Sequence, residues 1–386
     1  MLRIVCFLLF ALSPATLLAN PVSEIRLVGD LKRTRLVVDL AAVPEFAVLR
    51  LTNPYRLVID MPNVEFGPAT PGAGRGLVTD FRYGLIAPGK ARIVLDLVEP
   101  ADVIKSFVLE PVGAEPARLV LDLEPTTAEN FAAAAVRDRP TEAAPRVDAA
   151  EMGPHRSRGA VVVIDPGHGG IDSGAVGADG LLEKDVTLAF SSELVGRLKS
   201  GGKVDAILTR SDDSFVGLGD RVEMAQQHGA MLFISVHADS VNEDYVRGAT
   251  VYTLSDDASD SLAAALAARE NRSDVLAGFA LDEQPDEVAD ILFDLARRET
   301  KNLSVRIAKS LVADLDGTLP LNKSPWRRAS FRVLKAPEIP SVLLELGYLS
   351  NKEDEKLFRT AGWEKGSAEK VARAIEQFAA TGVAGQ

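Results

Sequence analysis

The sequence predicts an α/β domain, with a mostly parallel central sheet and flanking helices, preceded by a small all-β sandwich. Over residues 22–124, short β-branched and leucine-rich runs alternate with Pro and Gly clusters, a pattern typical of short strands and turns. From residue 159 onward, continuous apolar runs alternate with helical patterns, as in a parallel sheet. A polar stretch, residues 125–158, separates the two parts. The length of 386 residues agrees with more than one domain.

The first nineteen residues (1–19) have the pattern of a secretory signal. Arg3 supplies a positive charge, an apolar run follows over residues 4–12, and Ala19 offers a small residue for cleavage. We therefore expect export to the periplasm, with cleavage near Ala19, rather than a buried N-terminal helix. The run is too short to span a membrane. Since the only cysteine, Cys6, lies in this signal, a metal site in the mature chain must use His, Asp or Glu.

The overall charge disfavours one class of partner. The formal net charge is -12. Nucleic-acid binding depends on Lys and Arg contacts with phosphates, so nucleic acid is not expected as a partner. After the signal, no apolar stretch is long enough to predict a membrane span.

One phrase recurs four times in the predicted sandwich, residues 22–124. It is an arginine followed by an apolar run that contains an aspartate, and its copies are Arg35–Leu40, Arg56–Met61, Arg92–Leu97 and Arg118–Leu123. The repeat suggests two related halves. Because this region has no histidine and no cluster of catalytic residue types, a binding or targeting role is the better prediction.

Residues 125–158 are predicted to form a flexible tether. Residues 129–150 are mostly Ala, Pro, Glu, Asp and Arg, and they cannot bury enough apolar surface to fold independently. A short helix is expected at residues 128–136 at the start of this tether.

The α/β part, residues 159–380, is predicted to contain five core strands and several helices. The strands are residues 160–165, 205–209, 231–236, 251–254 and 342–346. The helices include residues 185–198, 218–228 and 368–378, with Asp185 as the N-cap of the first. Active sites of such sheets gather at the carboxyl ends of the strands.

Two of the four histidines follow predicted strands. His168 comes after the first strand in a glycine-rich loop, and His237 comes after the third. Both are therefore expected at the same edge of the sheet, where they could bind a metal. The alternative is that both are ordinary core histidines, but the glycines around His168 favour a site that the backbone approaches closely. His155 lies in the tether, and His228 is expected at a helix end, which suits a cation.

A catalytic zinc takes three protein ligands and leaves one position for water, so two histidines call for one carboxylate. The carboxylates near His168 in sequence are Asp165, Asp172, Asp179 and Glu183. The spacing favours Glu183 only slightly, because an acidic residue in the first turn of a helix also has an ordinary stabilising role. Asp165 is a candidate to orient His168, and Asp239 to orient His237.

Glu345 is a further strong candidate for a functional residue. It lies in residues 340–347, which otherwise have the apolar character of a buried strand. Burying a carboxylate is costly unless it is paired or functional, and burial raises its pKa, which suits a general base that acts on water. The alternative is a buried ion pair with Arg210 or Arg221.

With these residues in place, the chain from about Val161 to Phe378 resembles the zinc-dependent N-acetylmuramoyl-L-alanine amidases of the cell-division type. The matching stretches are residues 163–170, 180–185, 208–210, 221, 233–237, 248, 251–252, 331–334 and 340–351. The resemblance implies that His168, Glu183 and His237 bind one Zn²⁺ and that Glu345 is the catalytic glutamate. It also implies hydrolysis of the amide bond between N-acetylmuramic acid and L-alanine in peptidoglycan. Asp239 and Tyr348 stand where many members have Asn and Phe.

Residues 22–124 resemble the AMIN-like β-sandwich that precedes the catalytic domain in cell-division amidases. This likeness rests on the repeated phrase and on domain order. It implies binding to peptidoglycan at the division site.

Residues 256–301 are predicted to be a largely helical insertion, with one helix at residues 259–270 and a second that begins at Pro285. In division amidases of this type, such an insertion is autoinhibitory. An activator with an inactive LytM-type peptidase fold, of the EnvC kind, displaces it. We expect Glu270, or in reserve Glu283 or Glu287, to occupy the open zinc position. The alternative is that these acids only solvate helices. The apolar face of the second helix would receive the activator; it comprises Val288, Ile291, Leu292 and Leu295.

Two rival functions remain open at this stage. An inactive homologue would bind cell wall without zinc, although the three ligand candidates and Glu345 are all present. A zinc peptidase would cut within the stem peptide, and the residue types do not distinguish it from an amidase, because both reactions use attack of water on an amide.

Overall fold

The computed structural model describes residues 20–67, 72–113, 115–138, 160–279, 291–317 and 319–382, with the backbone alone at 72, 291–298 and 381–382. The predicted secretory signal, His155, Glu283, Glu287 and the expected helix start at Pro285 lie outside these residues. So do the side chains of the second insertion helix. Within the described ranges, no helix is both long and apolar enough to cross a membrane.

The N-terminal part, residues 20–125, is a β-sandwich, called here the sandwich domain. One sheet has the order β5-β1-β2-β10-β9 and the other the order β3-β4-β8-β7-β6. The strands are β1 Asn20–Gly29, β2 Thr34–Leu40, β3 Ala47–Thr52, β4 Tyr55–Pro62, β5 Val64–Glu65, β6 Gly72–Arg75, β7 Val78–Ala87, β8 Lys90–Leu97, β9 Ala101–Leu109 and β10 Ala117–Pro125. Alternate apolar side chains of both sheets share one core. The predicted sandwich is confirmed.

The four repeated phrases form the central strands of the two sheets. β2 and β10 are antiparallel neighbours in one sheet, and β4 and β8 are antiparallel neighbours in the other. Each arginine therefore faces an aspartate of the partner strand. Arg35 pairs with Asp122 at 2.6 Å, and Arg92 pairs with Asp60 at 2.6 Å. The repeat thus supplies one equivalent strand pair to each sheet.

The helix expected at the start of the tether is present as α1, Ala128–Arg137. Thr127 caps it by accepting a hydrogen bond from the Asn130 amide. Phe131 is fully buried against the sandwich core. This part of the tether is therefore packed, whereas residues 139–159 lie outside the described residues.

Residues 160–382 form the α/β domain around a six-stranded sheet of order β12-β11-β13-β16-β14-β15. The strands are β11 Val161–Pro166, β12 Asp205–Leu208, β13 Leu232–His237, β14 Ala249–Leu254, β15 Leu321–Ala329 and β16 Ser341–Glu345. All neighbours are parallel except β14 and β16. The predicted mostly parallel sheet is confirmed.

Helices cover both faces of this sheet. They are α2 Glu183–Gly201, α3 Leu218–Gln227, α4 Ser261–Glu270, α5 Ser273–Leu276, α6 Ile291–Leu315, α7 Lys352–Phe358 and α8 Trp363–Gly382, with a 3-10 turn at Arg332–Leu334. Apolar residues of α2, α6 and α8 share one core, and those of α3 and α4 share the other. The insertion therefore begins with a helix, α4, that packs on the sheet.

The predicted start of α2 was wrong. Asp185 is not its N-cap, because the helix begins at Glu183 and Leu182 occupies the cap without a side-chain hydrogen bond. The acidic residues of this first turn still suit the positive end of the helix dipole. Because Glu183 is the first residue of α2, the helix fixes the position of its backbone.

Candidate metal centre

Three side chains at the carboxyl ends of adjacent strands meet in one buried region. His168 lies just after β11, while His237 and Glu345 are the last residues of β13 and β16. The three strands are parallel neighbours, and His237 stands opposite Glu345 in the register. The ring centroids of His168 and His237 are 5.0 Å apart. The topology thus brings the two histidines together at the edge where the sequence predicted a site.

The loop after β11 requires glycine at close approaches. His168 itself has φ 59°, a left-handed value that residues with a Cβ rarely adopt. A Cβ at Gly167 would lie 2.5 Å from Cε1 of His237, and one at Gly174 would lie 2.6 Å from Oε2 of Glu183. These two glycines therefore allow the backbone to pass beside the candidate ligands.

Two carboxylates, Glu183 and Glu270, each lie within contact distance of both histidines. His168 Nε2 is 3.2 Å from Glu183 Oε2 and 3.4 Å from Glu270 Oε2. His237 Nδ1 is 3.2 Å from Glu183 Oε1 and 3.3 Å from Glu270 Oε2. All four side chains are buried. Glu270 thus contacts both histidines from the insertion, while Glu183 contacts them from α2.

The chemistry of this donor set fits a divalent cation. Nε2 of His168 is buried and, although it lies 3.2 Å from Glu183 Oε2, it makes no hydrogen bond with any of the described residues. Buried polar atoms normally have a hydrogen-bond partner. Burial alone would lower the pKa of His168, but the carboxylates of Glu183, Asp172 and Glu270 outweigh it and raise this pKa well above its ordinary value. The acidic surroundings therefore favour positive charge at this point. Imidazole and carboxylate are among the ligands that zinc takes in proteins.

Each imidazole contacts a second group through its other nitrogen. Nδ1 of His168 lies 3.0 Å from Asp172 Oδ2, and Nε2 of His237 lies 3.2 Å from Ser235 Oγ. Such contacts fix the ring orientation and the tautomer of a metal ligand. Ser273, on the insertion, also donates a hydrogen bond to Asp172. Ser273 was not predicted, because nothing in the local sequence relates it to a carboxylate that is 101 positions away.

The expected contact between Asp165 and His168 is corrected by this geometry. Asp165 is fully buried and pairs with Arg221 at 2.6 Å. Arg221 then donates to the backbone carbonyl of His168 at 2.9 Å, and Asp165 accepts a hydrogen bond from Ser235 at 2.7 Å. Burial would raise the pKa of Asp165, but Arg221 and the hydroxyl groups of Thr209 and Ser235 outweigh it and lower this pKa. Asp165 therefore supports the site through intermediate residues.

Asp239 likewise does not contact His237 as expected. Its side chain pairs with Arg269 on α4, with Arg269 Nε 3.1 Å from Asp239 Oδ2. The backbone amide of Asp239 donates to Glu345 Oε2 at 3.1 Å. Asp239 thus links the insertion to the strand end that carries Glu345.

Glu345 is fully buried, and it is half satisfied in the sense that only one of its two carboxylate oxygens has a hydrogen-bond partner among the described residues. Oε2 accepts the Asp239 amide, whereas Oε1 has no hydrogen-bond partner among the described residues. Burial, followed by the charges of Asp239, Glu183 and Glu270, raises the pKa of Glu345 well above its ordinary value. Glu345 does not form the alternative ion pair with Arg210 or Arg221. Arg221 pairs with Asp165, and Arg210 donates to the backbone carbonyls of Pro166 and Gly167.

The remaining candidates lie elsewhere. Asp179 is exposed, and its backbone amide donates to Glu355. His228 caps the end of α3, with Nδ1 2.8 Å from the Met224 carbonyl oxygen. The prediction that His228 is a helix-end residue is therefore confirmed.

Two protein-family models match the chain. The model described as N-acetylmuramoyl-L-alanine amidase matches residues 162–377, and the AMIN domain model matches residues 24–123. The first match spans more than half of the chain. The chain belongs to the N-acetylmuramoyl-L-alanine amidase family. Its α/β domain is therefore an amidase domain, and its sandwich domain is an AMIN domain.

Two relatives align with most of this chain. The chain is 33% identical over 369 residues to N-acetylmuramoyl-L-alanine amidase AmiC of Escherichia coli O6:H1, covering 90% of this chain and 87% of the relative. It is 31% identical to AmiC of Neisseria meningitidis serogroup B, covering 97% and 95%. The solved structure of amidase AmiC2 of Nostoc punctiforme is 31% identical, covers 57% of this chain and 96% of its own, and has a TM-score of 0.41.

In this amidase domain, the insertion helix α4 is fixed at both ends. Asp260 caps its start by accepting the Ala263 amide at 2.9 Å. At its end, Arg269 pairs with Asp239, and the Asn271 side chain donates to the Ser330 carbonyl at 2.8 Å. These contacts place Glu270, the last residue of α4, at the two histidines.

Proposed function

We propose that this chain is an exported, zinc-dependent N-acetylmuramoyl-L-alanine amidase that cuts the bond between N-acetylmuramic acid and the L-alanine of the stem peptide in peptidoglycan. Family membership and the names of the full-length relatives support the reaction. The observation that carries the proposal is the buried group of His168, Glu183 and His237 beside a buried, half-satisfied Glu345.

His168, Glu183 and His237 are the proposed zinc ligands. Their chemistry matches the three-ligand sites that catalytic zinc uses, which leave one position open. When bound, zinc supplies a Lewis acid that polarises an amide carbonyl and makes a water molecule more acidic. The backbone amides of Ala175 and Ala238 each donate to Glu183, at 2.8 and 2.9 Å, and hold its carboxylate in place. Glu183 is therefore preorganised for this role.

Glu345 is the proposed general base. Its Oε2 is held by the Asp239 amide, which leaves Oε1 to take a proton from the attacking water. A raised pKa makes the carboxylate a better proton acceptor. The same carboxyl then gives the proton to the departing amine of L-alanine. The products are a free muramic acid carboxylate and a stem peptide with a free amino group.

Glu270 is proposed to close the fourth zinc position in the resting enzyme. Its Oε2 lies 3.4 Å from His168 Nε2 and 3.3 Å from His237 Nδ1, and its side chain is buried. Burial, against the opposing effect of His168, raises the pKa of Glu270 well above its ordinary value, which a cation in the pocket would offset. An activator of the inactive LytM-peptidase type, of the EnvC kind, would displace the insertion, residues 256–301. Its docking face on the second insertion helix remains a prediction.

The biological setting follows from the same proposal. Residues 1–19 would direct export to the periplasm, the AMIN domain would bind peptidoglycan, and cleavage would split the septum during cell separation. The proposed domain limits are 22–124 for the AMIN domain, 125–158 for the linker and 159–380 for the catalytic domain.

A cell-wall digest tests the reaction. Purified peptidoglycan is incubated with the zinc-loaded wild type, with Glu345→Gln, and with Glu338→Gln as a control at an exposed carboxylate. Because Glu270 is proposed to limit the rate without an activator, mass spectrometry is expected to show a low but measurable yield of glycan strands without peptides and intact stem peptides for the wild type and the control, and none for Glu345→Gln. Fragments cut within the stem peptide would contradict the amidase assignment, and full cleavage by Glu345→Gln would contradict the role of Glu345.

A further inference from the structure

The sandwich domain contacts the chain segment that directly follows Glu270. This segment, residues 271–279, contains α5 and the turn after it. Guanidinium groups of Arg56, Arg82 and Arg92, on β4, β7 and β8, donate hydrogen bonds to its backbone carbonyls at positions 275–278. Nη1 of Arg92 lies 3.1 Å from the Ala277 oxygen and 3.3 Å from the Gly278 oxygen. Carbonyls at a helix end need such partners, since they have none within the helix.

Apolar contacts accompany these hydrogen bonds. Ala277 is fully buried in a cluster with Val58 and Val94 of the sandwich sheet. Gly278 has φ 80°, and a Cβ there would lie 3.0 Å from Cγ2 of Val94. Phe279 stacks on Phe215 of the amidase domain with ring centroids 5.6 Å apart. The backbone of the 271–279 segment therefore lies directly on the sheet.

The same sandwich sheet also contacts the loop that carries His168. The Ile171 amide donates to the Leu85 carbonyl at 3.0 Å. A Cβ at Gly84 would lie 2.5 Å from the Cα of Ile171, so glycine is needed for this approach. The sandwich thus joins the histidine loop, which must stay in place for catalysis, to the 271–279 segment, which must leave with Glu270.

The repeated phrase shows that this surface is specialised. Arg35 and Arg118, on β2 and β10, have side chains that are 47% and 34% exposed. Their counterparts Arg56 and Arg92 are both buried, with 1% and 5% of the whole residue exposed. Burial, followed by the charge of Arg82, lowers the pKa of Arg56 to about 10. Burying a guanidinium is costly unless it finds hydrogen-bond acceptors. The 271–279 carbonyls accept from Arg56 and, in addition to the Asp60 carboxylate, from Arg92.

We propose that the β4–β8–β7 face of the sandwich domain is a docking surface for the 271–279 segment. This contact would be a second autoinhibitory contact in the amidase, in addition to Glu270, and is called the lock here. By holding this segment, the face keeps Glu270 at His168 and His237, so the insertion is released only when this interface opens. The inference rests on the proposed closure of the zinc position by Glu270. It assigns the AMIN domain a direct part in restraining catalysis, in addition to targeting.

Hydrogen–deuterium exchange of the full chain tests the lock without relying on activity. Arg92→Gln and Phe279→Ala weaken the interface from its two sides, because the Arg92 guanidinium lies 4.7 Å from the centroid of the Phe279 ring. Arg118→Gln is the matched control at the same position of the repeat in the other sheet. Amides of residues 271–279 are expected to exchange about tenfold faster in the two interface variants, which corresponds to about 1.4 kcal/mol in the local opening equilibrium. Protection equal to that of Arg118→Gln in both would overturn the lock. Phe279→Ala leaves the sandwich sequence intact and thereby controls for misfolding of that domain.

Measuring peptidoglycan cleavage without activator distinguishes a failure of the lock from a failure of the proposed closure by Glu270. The interface variants are expected to cleave faster than Arg118→Gln, and Glu270→Ala is measured alongside. If Glu270→Ala is activated while the interface variants are not, the lock is wrong and the closure stands. If exchange rises in the interface variants but neither they nor Glu270→Ala cleave faster, the closure by Glu270 is wrong, and the lock fails with it.

Discussion

Oε2 of Glu270 lies 3.3 Å from Nδ1 of His237, so the last residue of an insertion helix contacts a candidate zinc ligand. Exchanging this carboxylate for an amide, Glu270→Gln, is expected to raise peptidoglycan cleavage in the absence of activator, because an amide is a weaker zinc ligand. Glu299→Gln, an exposed position of the same insertion, is the control and should leave cleavage unchanged. Dye release from labelled cell wall measures both. Equal rates for Glu270→Gln and the wild type would contradict closure by Glu270.

Asp172 is expected to support metal binding through His168. Since it contacts Nδ1 of that ring at 3.0 Å, Asp172→Asn should lower zinc affinity about 10- to 100-fold by loosening the ring and its tautomer. Asp179→Asn changes an exposed carboxylate near it in sequence and is expected to leave affinity unchanged. Competition with a chelator measures the affinity. If the two variants bound zinc equally well, the orienting role of Asp172 would be wrong.

The pH dependence of cleavage is expected to report Glu345. Burial and the nearby charges of Asp239 and Glu183 raise its pKa, and a base acts only when deprotonated, so activity should be lost as the pH falls through that raised pKa. Asp239→Asn removes the largest neighbouring charge that raises it, and the acid limb of kcat/KM should then move to lower pH. The comparison is made in Glu270→Ala, so that closure by the insertion does not limit the rate, with Asp244→Asn as an exposed control. An acid limb that stays in place would argue against Glu345 as the base.

The buried Asp165–Arg221 pair is expected to contribute to the stability of the amidase domain. Asp165→Asn leaves Arg221 charged and buried, which typically costs about 3–5 kcal/mol. Asp314→Asn, which breaks the pair with the half-exposed Arg373, should cost about 1 kcal/mol or less. Because the pKa of Asp165 is lowered, its contribution is present above the unfolded value of 3.8 and is lost as the pH falls through the folded pKa. Denaturant unfolding at neutral and acidic pH measures both effects, and equal losses in the two variants would contradict this account.

The sequence predicted the parts of the site that depend on topology. His168, His237 and Glu345 each follow or end an apolar run, and parallel strands bring their carboxyl ends to one edge. Glu183 could not be chosen by spacing, because a first-turn acid has an ordinary structural role, and the family resemblance was needed to favour it. Local patterns therefore located the site and left one ligand position open.

Contacts between residues that are distant in the chain could not be predicted from the sequence. The sequence makes Asp165 a candidate to orient His168, yet Asp165 pairs with Arg221, and Asp172 contacts the ring instead. The docking of the sandwich domain is a clearer case. Arg92 and Ala277 are 185 positions apart, and the phrase that begins with Arg92 is nearly the same as the one that begins with the partly exposed Arg118. Nearly identical local patterns thus acquire different partners through tertiary packing.

Anomalous diffraction at the zinc absorption edge, from crystals of the full chain grown with zinc, would locate the metal relative to His168, Glu183 and His237. The proposed site predicts one zinc peak, with Nε2 of His168, Nδ1 of His237 and carboxylate oxygens of Glu183 and Glu270 at about 2.0–2.2 Å. Glu345 is predicted to lie near the ion without binding it. Absence of the peak, or a zinc bound by Glu345 in place of Glu183, would contradict this assignment of the site.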